Sequence, residues 1–132
     1  MPYSIILADD HVLFRQGLKM LIEEDPELRV ADEAGDGIEL LQILEECTPD
    51  MVIIDISMPR LRGLEATKFI KELYPDVKVL VLTMNKSKEI LYKAMSSGAD
   101  GYLLKEDANE ILHSAIKTIR SGKQFISPLI FV

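Results

Sequence analysis

Several side chains that can do chemistry come directly after short apolar segments of this sequence. Asp9 and Asp10 follow the first such segment, and Asp55 follows a segment in the middle of the chain. Thr83 and Lys105 each follow a later one. Three carboxylates brought to one place repel one another unless a cation lies between them. The spacing therefore indicates a cation if these segments end at a common edge.

The chemistry available to such a group is phosphoryl transfer. The acidic groups Asp9, Asp10 and Asp55 offer only oxygen ligands, which suit a hard cation, and Mg²⁺ with retained waters is the natural choice. A carboxylate can also act as the nucleophile that forms an aspartyl phosphate. Lys105 and the Thr83 hydroxyl can each pair with a phosphoryl oxygen. The residues predict a Mg²⁺-dependent phosphoaspartate site at Asp55, where positioning and charge neutralisation supply most of the catalysis.

Two periodicities alternate along the chain and determine how these residues are positioned. The apolar segments have the length and composition of strands buried on both faces. They are Ser4–Ala8, Arg29–Ala34, Met51–Ile54, Val77–Leu82 and Gly101–Leu104. Between them lie stretches with helical spacing. These are a first helix with the stripe Phe14, Leu18 and Leu21, then Ile38–Glu46, Leu64–Leu73, Lys88–Ser97 and Ala108–Ser121.

Local signals mark the ends of the predicted helices. Asp36 and Asp107 have the spacing of N-terminal caps, each followed three residues later by a glutamate. Gly98 and Gly122 stand where a left-handed residue would end a helix. Strand–helix units joined by short loops predict a doubly wound α/β fold with a parallel sheet and helices on both faces. In such folds the site lies beyond the carboxyl ends of the strands.

Composition limits the classes of function. The 132 residues suffice for one domain, with 48% apolar and 28% charged residues. The formal net charge of −7 makes this segment by itself a poor binder of nucleic acid. The single cysteine, Cys47, cannot form an internal disulfide. We find no signal peptide and no apolar run of membrane-spanning length, so we predict a soluble cytoplasmic domain without membrane contact.

The ordered motifs resemble the receiver domain of two-component response regulators over residues 3–125. They comprise the acidic pair, Asp55 with Pro59 and Gly63 after it, Thr83, and the run Tyr102-Leu103-Leu104-Lys105. The stretches Asp9–Leu18, Leu82–Met84 and Gly101–Glu106 are most similar to the NarL/LuxR-type subgroup. The resemblance implies a flavodoxin-like, CheY-like sheet of five strands in the order 2-1-3-4-5.

The resemblance also implies how the site residues divide the work. Asp55 would be the phospho-acceptor and a metal ligand. Asp10 would bind Mg²⁺ directly, Asp9 mainly through water, and Ser57 through its backbone carbonyl. Lys105 would pair with Asp55 or with its phosphoryl group.

A switch pair and several partners are implied as well. Thr83 and Tyr102 would report phosphorylation to the surface of the fourth and fifth helices. The phosphoryl donor would be a sensor histidine kinase, which in this family often docks on the first helix, where Leu13 and Gly17 lie beside the core stripe. Receivers of this kind often form homodimers on phosphorylation. The apolar stripe of Ala108–Ser121 offers a dimer seam, although a well-buried final helix is the more economical interpretation.

The resemblance further predicts a longer protein. We assign residues 1–121 to the receiver domain and residues 122–132 to the start of a linker towards an output domain. In NarL-type proteins that output is often a DNA-binding module, so DNA would be a partner only through it. The chain would then be a switch that catalyses its own phosphorylation and dephosphorylation, not an enzyme acting on external substrates.

Three other functions agree with only part of the sequence. A pseudo-receiver would mediate contacts without phosphorylation, although the complete set of site residues argues against it. A phosphatase with an Asp-x-Asp motif does not fit, because Ile56 and Ser57 follow Asp55. A flavin-binding module does not fit either, since Asp9 and Asp10 would repel the flavin phosphate. His11 is a candidate relay or ligand, but histidines beside acidic loops more often pack or cap.

Overall fold

Six parallel strands and five α-helices alternate along residues 2–58 and 60–128, which the computed structural model describes. The strands are β1 (Tyr3–Ala8), β2 (Leu28–Ala34), β3 (Met51–Asp55), β4 (Lys78–Thr83), β5 (Gly101–Leu104) and β6 (Phe125–Ile126). The helices are α1 (Val12–Glu23), α2 (Gly37–Glu46), α3 (Gly63–Leu73), α4 (Lys88–Ser96) and α5 (Ala108–Arg120). A short 3₁₀ turn, Lys105–Asp107, connects β5 to α5.

The strand order is β2-β1-β3-β4-β5-β6, and every pairing is parallel. This confirms the predicted doubly wound fold and the order of its first five strands. The sheet has one strand more than predicted. β6 comes from the segment assigned to the start of a linker, and the prediction for residues 129–132 lies outside the described residues.

Two apolar cores lie on opposite faces of the sheet because successive strand residues point in opposite directions. In β1, Ile6 and Ala8 join the core beneath α2, α3 and α4, whereas Ile5 and Leu7 join the core beneath α1 and α5. Strands β3 and β4 are buried along almost their whole length. The apolar stripe of α5 belongs to the second core, as the economical interpretation requires.

The helix boundaries confirm most of the predicted signals. The Asp36 side chain accepts a hydrogen bond from the Glu39 amide at 2.8 Å and caps α2. Gly98 and Gly122 have φ values of 101° and 97°, which favour glycine. The prediction for Asp107 is wrong. Within the described part of the chain its carboxylate makes no capping bond; it accepts instead from the hydroxyl of Ser127, just beyond β6.

No helix among the described residues is long and apolar enough to cross a lipid bilayer.

Candidate phosphoryl-acceptor site

The carboxylates converge at the carboxyl edge of the sheet, as predicted. β1 and β3 are parallel neighbours, with Ala8 opposite Ile54, so the residues that follow them come together. Asp9 and Asp55 are each only 1% exposed, whereas Asp10 lies at the surface. The ligand atoms of Asp9 and Asp55 lie within 4.8 Å of each other. Two buried carboxylates at that distance need a positive charge nearby, because burying a charge without a partner is costly.

Lys105 supplies part of that positive charge. Its ammonium lies 2.9 Å from Asp9 Oδ2 and 3.3 Å from Asp55 Oδ2, and it also lies 4.6 Å from the centre of the Phe14 ring. Apart from this ion pair, Asp9 Oδ2 has no hydrogen-bond partner among the described residues. With Asp10 added, the three carboxylates outnumber the one lysine. The donor set therefore fits a hard divalent cation.

Ser57 and Gly63 hold the loop that follows Asp55. The Ser57 amide and hydroxyl both donate to Asp55 Oδ1 at 3.1 Å, which fixes the carboxylate. The Gly63 amide donates to the Ile56 carbonyl at 3.2 Å. A side chain at Gly63 would place its Cβ 2.5 Å from the Asp55 carbonyl oxygen. Only glycine allows α3 to begin so close to the end of β3.

Thr83 and Tyr102 are linked through the backbone of Asn85. The Asn85 amide donates to the Thr83 hydroxyl at 2.9 Å, and the Tyr102 hydroxyl donates to the Asn85 carbonyl at 3.3 Å. Tyr102 is fully buried. Burial raises the pKa of its phenol, and the neighbouring Thr83 hydroxyl opposes that rise. No sequence pattern singles out Asn85, because its contribution is made by main-chain atoms.

His11 lies within the acidic cluster. Its Nδ1 is 3.2 Å from Asp9 Oδ1 and 3.5 Å from Asp10 Oδ1. The side chain is 58% exposed, so it is not a packing residue. It precedes α1 but makes no side-chain capping bond among the described residues. Neither of the ordinary roles expected for this histidine is therefore fulfilled.

Arg15 is a positioning residue that sequence reasoning missed. From α1 it donates to the backbone carbonyl of Asp9, and its Nε donates to Glu33 Oε1 at 2.9 Å. It also reaches the Ala34 carbonyl at 3.4 Å. These contacts tie the loop that carries the acidic pair to the end of β2. Glu33 lies eighteen residues further along the chain, so no local pattern indicates the pair.

An apolar cleft of about 620 Å³ opens beside the cluster. Its walls include Leu13 and Phe14 of α1 and Met84 after β4. Leu13 and Met84 are 83% and 81% exposed, which is unusual for large apolar side chains. Gly17 lies one helical turn beyond Leu13, and a Cβ added there would meet no atom of the described chain within 4 Å other than its two neighbours and the nearby backbone of α1.

The protein is a flavodoxin-like α/β domain of the CheY type. Its class is defined by the doubly wound sheet and by the carboxylates, Lys105 and Thr83 at the carboxyl edge of that sheet. The family model of the response regulator receiver domain matches residues 5–117, and the chain belongs to that family.

Three similar proteins indicate to which subgroup of the receiver family the chain is most similar. The transcriptional regulatory protein DegU of Brevibacillus brevis is 38% identical over 125 residues, which are 95% of this chain and 53% of DegU. The oxygen regulatory protein NreC of Staphylococcus carnosus is 41% identical over 126 residues, covering 95% of this chain and 58% of NreC. The crystal structure of a LuxR-family two-component response regulator from Aurantimonas sp. SI85-9A1 has a TM-score of 0.93 at 35% identity, covering 98% of this chain and 93% of that one.

These likenesses confirm the resemblance to NarL/LuxR-type receivers. The chain spans little more than half the length of the two curated relatives.

Proposed function

We propose that this receiver domain is a switch controlled by phosphorylation of Asp55. The observation that carries the proposal is the position of the Asp55 carboxylate, buried at the sheet edge between the acidic pair and Lys105, 3.3 Å from the lysine ammonium. In the transfer, an Asp55 oxygen forms a P–O bond while the P–N bond of a phosphohistidine breaks. The electron pair of that bond leaves with the donor imidazole. The phosphohistidine would belong to a sensor histidine kinase.

Mg²⁺ is the proposed cofactor. Asp9, Asp10, Asp55 and the backbone carbonyl of Ser57 would hold it, and when bound it would neutralise charge on the transferred group. The excess of carboxylates over lysine supports this assignment. With the metal and Lys105 in place, the domain would catalyse its own phosphorylation from small donors and its own dephosphorylation.

The signal would leave the site through Thr83 and Tyr102. A phosphoryl group on Asp55 offers new acceptor oxygens, and the Thr83 hydroxyl would donate to one of them. The Asn85 amide now donates to that hydroxyl, and the Asn85 carbonyl accepts from Tyr102. A change at Thr83 would therefore alter the surroundings of Tyr102, which biases a two-state equilibrium by a local contact.

Kinase docking and output complete the proposal. The exposed apolar surface at Leu13, with Gly17 beyond it, would receive the kinase beside the cleft. DegU is named a transcriptional regulatory protein. By analogy, the receiver would extend through β6, and the residues after it would lead towards a DNA-binding output domain of a longer cytoplasmic protein. Homodimerisation on phosphorylation would be a further step. The acidic charge of this chain supports leaving DNA recognition to that output domain.

Intact-mass measurement after incubation with a small acyl phosphate tests the proposal. We expect one phosphoryl adduct that requires Mg²⁺ and is absent in Asp55→Asn. Asp76→Asn is the matched control, because Asp76 is an exposed carboxylate in the loop before β4. An adduct that persists in Asp55→Asn would refute the assignment of the acceptor. If no adduct forms although Mg²⁺ binds, the pseudo-receiver alternative, which works without phosphorylation, would be favoured.

A further inference from the structure

The segment after α5 folds back onto the stretch of chain that carries Lys105. Ser127 lies just beyond β6 and is fully buried. Its amide donates to the Tyr102 carbonyl at 2.8 Å, and its hydroxyl donates to the carboxylate of Asp107. Tyr102 lies three residues before Lys105, and Asp107 lies two residues after it. Ser127 therefore holds the chain on both sides of the lysine.

The turn between these two contacts determines where the Lys105 side chain begins. Lys105–Asp107 form a single 3₁₀ turn, in which the Ala108 amide donates to the Lys105 carbonyl. The lysine side chain leaves this turn for the acidic edge of the sheet, where its ammonium lies 3.3 Å from Asp55 Oδ2. Hydrogen-bond geometry within a 3₁₀ turn is poor, so a contact from outside adds to its restraint.

The hydroxyl of Ser127 and the carboxylate of Asp107 are committed to each other. Phe125 and Ile126 pack as apolar residues against the two cores, whereas Ser127 brings a hydroxyl into a buried place. A buried hydroxyl is costly unless it is hydrogen-bonded, and a bond to a carboxylate is about twice as strong as one between neutral groups. The same contact diverts Asp107 from the cap of α5 that its spacing predicts.

We propose that Ser127 is a positioning residue for the phosphorylation of Asp55 and acts through the turn that carries Lys105. The role rests on the proposed function, since it requires that Asp55 accept the phosphoryl group. Coupling between two sites is reciprocal. A phosphoryl group that draws the Lys105 ammonium towards itself would therefore also change the contact at Ser127, and with it the start of the segment that follows β6.

The rate of Mg²⁺-dependent adduct formation from a small acyl phosphate tests the proposal. Ser127→Ala removes the hydroxyl and keeps the backbone amide, and we expect it to lower the rate about tenfold because Lys105 is misplaced. Ser121→Ala is the matched control. The Ser121 hydroxyl donates to the Thr118 carbonyl at 2.6 Å, at the other end of α5 from Lys105, so the rate should stay at the wild-type value.

Two substitutions of Asp107 distinguish a positioning role from a general loss of structure. Asp107→Asn keeps an oxygen that can accept from the Ser127 hydroxyl, so it should retain most of the wild-type rate. Asp107→Ala removes the acceptor and should reproduce the loss seen in Ser127→Ala.

Hydrogen exchange gives a readout that does not depend on phosphorylation. The Ala108 amide, which closes the turn, should exchange about tenfold faster in Ser127→Ala than in the wild type, because a hydrogen bond to a charged group has been lost. Its exchange should not change in Ser121→Ala.

The outcomes separate this role from the proposed function. If Ser127→Ala forms the adduct at the wild-type rate, or if Asp107→Asn is as slow as Asp107→Ala, the role of Ser127 is refuted while phosphorylation of Asp55 stands. Unchanged exchange of the Ala108 amide in Ser127→Ala would also refute it. If the wild type forms no adduct, the proposed function fails and the role of Ser127 fails with it.

Discussion

Two glycine-to-alanine substitutions at helical positions should change stability in opposite directions. Gly63 is the first residue of α3, and an added Cβ would lie 2.5 Å from the Asp55 carbonyl oxygen and 2.6 Å from Ile56 Cα. Gly17 lies within α1, and apart from its two neighbours and the nearby helix backbone, a Cβ there would meet no atom of the described chain within 4 Å. The chemical change is the same at both positions, so the difference isolates the close approach of α3 to the end of β3.

The magnitude for Gly63→Ala follows from these contacts. Comfortable separations are about 3.5 Å, so α3 must retreat by about 1 Å from rigid backbone. Overpacking of this kind costs about 1–3 kcal/mol. For Gly17→Ala the helix propensity of alanine contributes about 0.5–1 kcal/mol of stability.

Thermal unfolding followed by circular dichroism converts these energies into temperatures. An unfolding entropy of about 2.1 cal/mol/K per residue gives about 0.28 kcal/mol/K for a chain of 132 residues. Gly63→Ala should then melt about 4–11 °C below the wild type, and Gly17→Ala about 2–4 °C above it. A Gly63→Ala variant that melts at or above the wild-type temperature, while Gly17→Ala behaves as expected, would refute the packing argument.

Three further predictions concern the surroundings of the site. Arg15→Met should lower Mg²⁺ affinity about tenfold in calorimetric titration, because the backbone carbonyl of Asp9 loses the hydrogen bond that holds it. Unchanged affinity would show that Arg15 does not position the metal site. Tyr102→Phe should lower the free energy of unfolding by about 1 kcal/mol in denaturant titration, because the hydrogen bond to the Asn85 carbonyl is lost. Equal stability would show that this hydrogen bond makes no net contribution. The Glu39 amide and the Arg60 guanidinium lower the pKa of Asp36 below its ordinary value of 3.8. The resulting stability is present above the unfolded pKa and is lost as the pH falls through the folded one, so Asp36→Asn should flatten the acid arm of the stability curve; an identical acid arm would contradict this.

Local sequence patterns were sufficient for the strands and for the convergence of the acidic residues, whereas the sheet order followed from the family resemblance. Strand-length apolar segments, each followed by a polar residue, determine which side chains meet once the sheet is parallel. The helix cap at Asp36 was also predictable, since its partner Glu39 is three residues away. For the strands, the acidic residues that follow them and the helix cap, the signal lies within a few residues of the feature it specifies.

Features that depend on distant partners could not be predicted in this way. The ion pair of Arg15 with Glu33 joins α1 to the end of β2, and neither residue has a local pattern. The carboxylate of Asp107 has the spacing of a cap, but a closer contact with Ser127 occupies it. A packing or capping role for His11 rested on frequency alone. Its position beside Asp55 depends on the pairing of β1 with β3.

The short strand β6 has a consequence for handling the protein. Its residues pair with β5, and the amides of Phe125 and Ser127 donate to the carbonyls of Asp100 and Tyr102 at 3.1 and 2.8 Å. An uncovered apolar strand at the edge of a sheet is a template for aggregation. β5 is fully buried and apolar. β6 is only two residues long, so as the edge strand it presents few unpaired backbone groups with which another chain could pair. A chain shortened to residue 121 would expose the β5 edge and should self-associate, so the receiver boundary predicted at residue 121 is a poor place to cut.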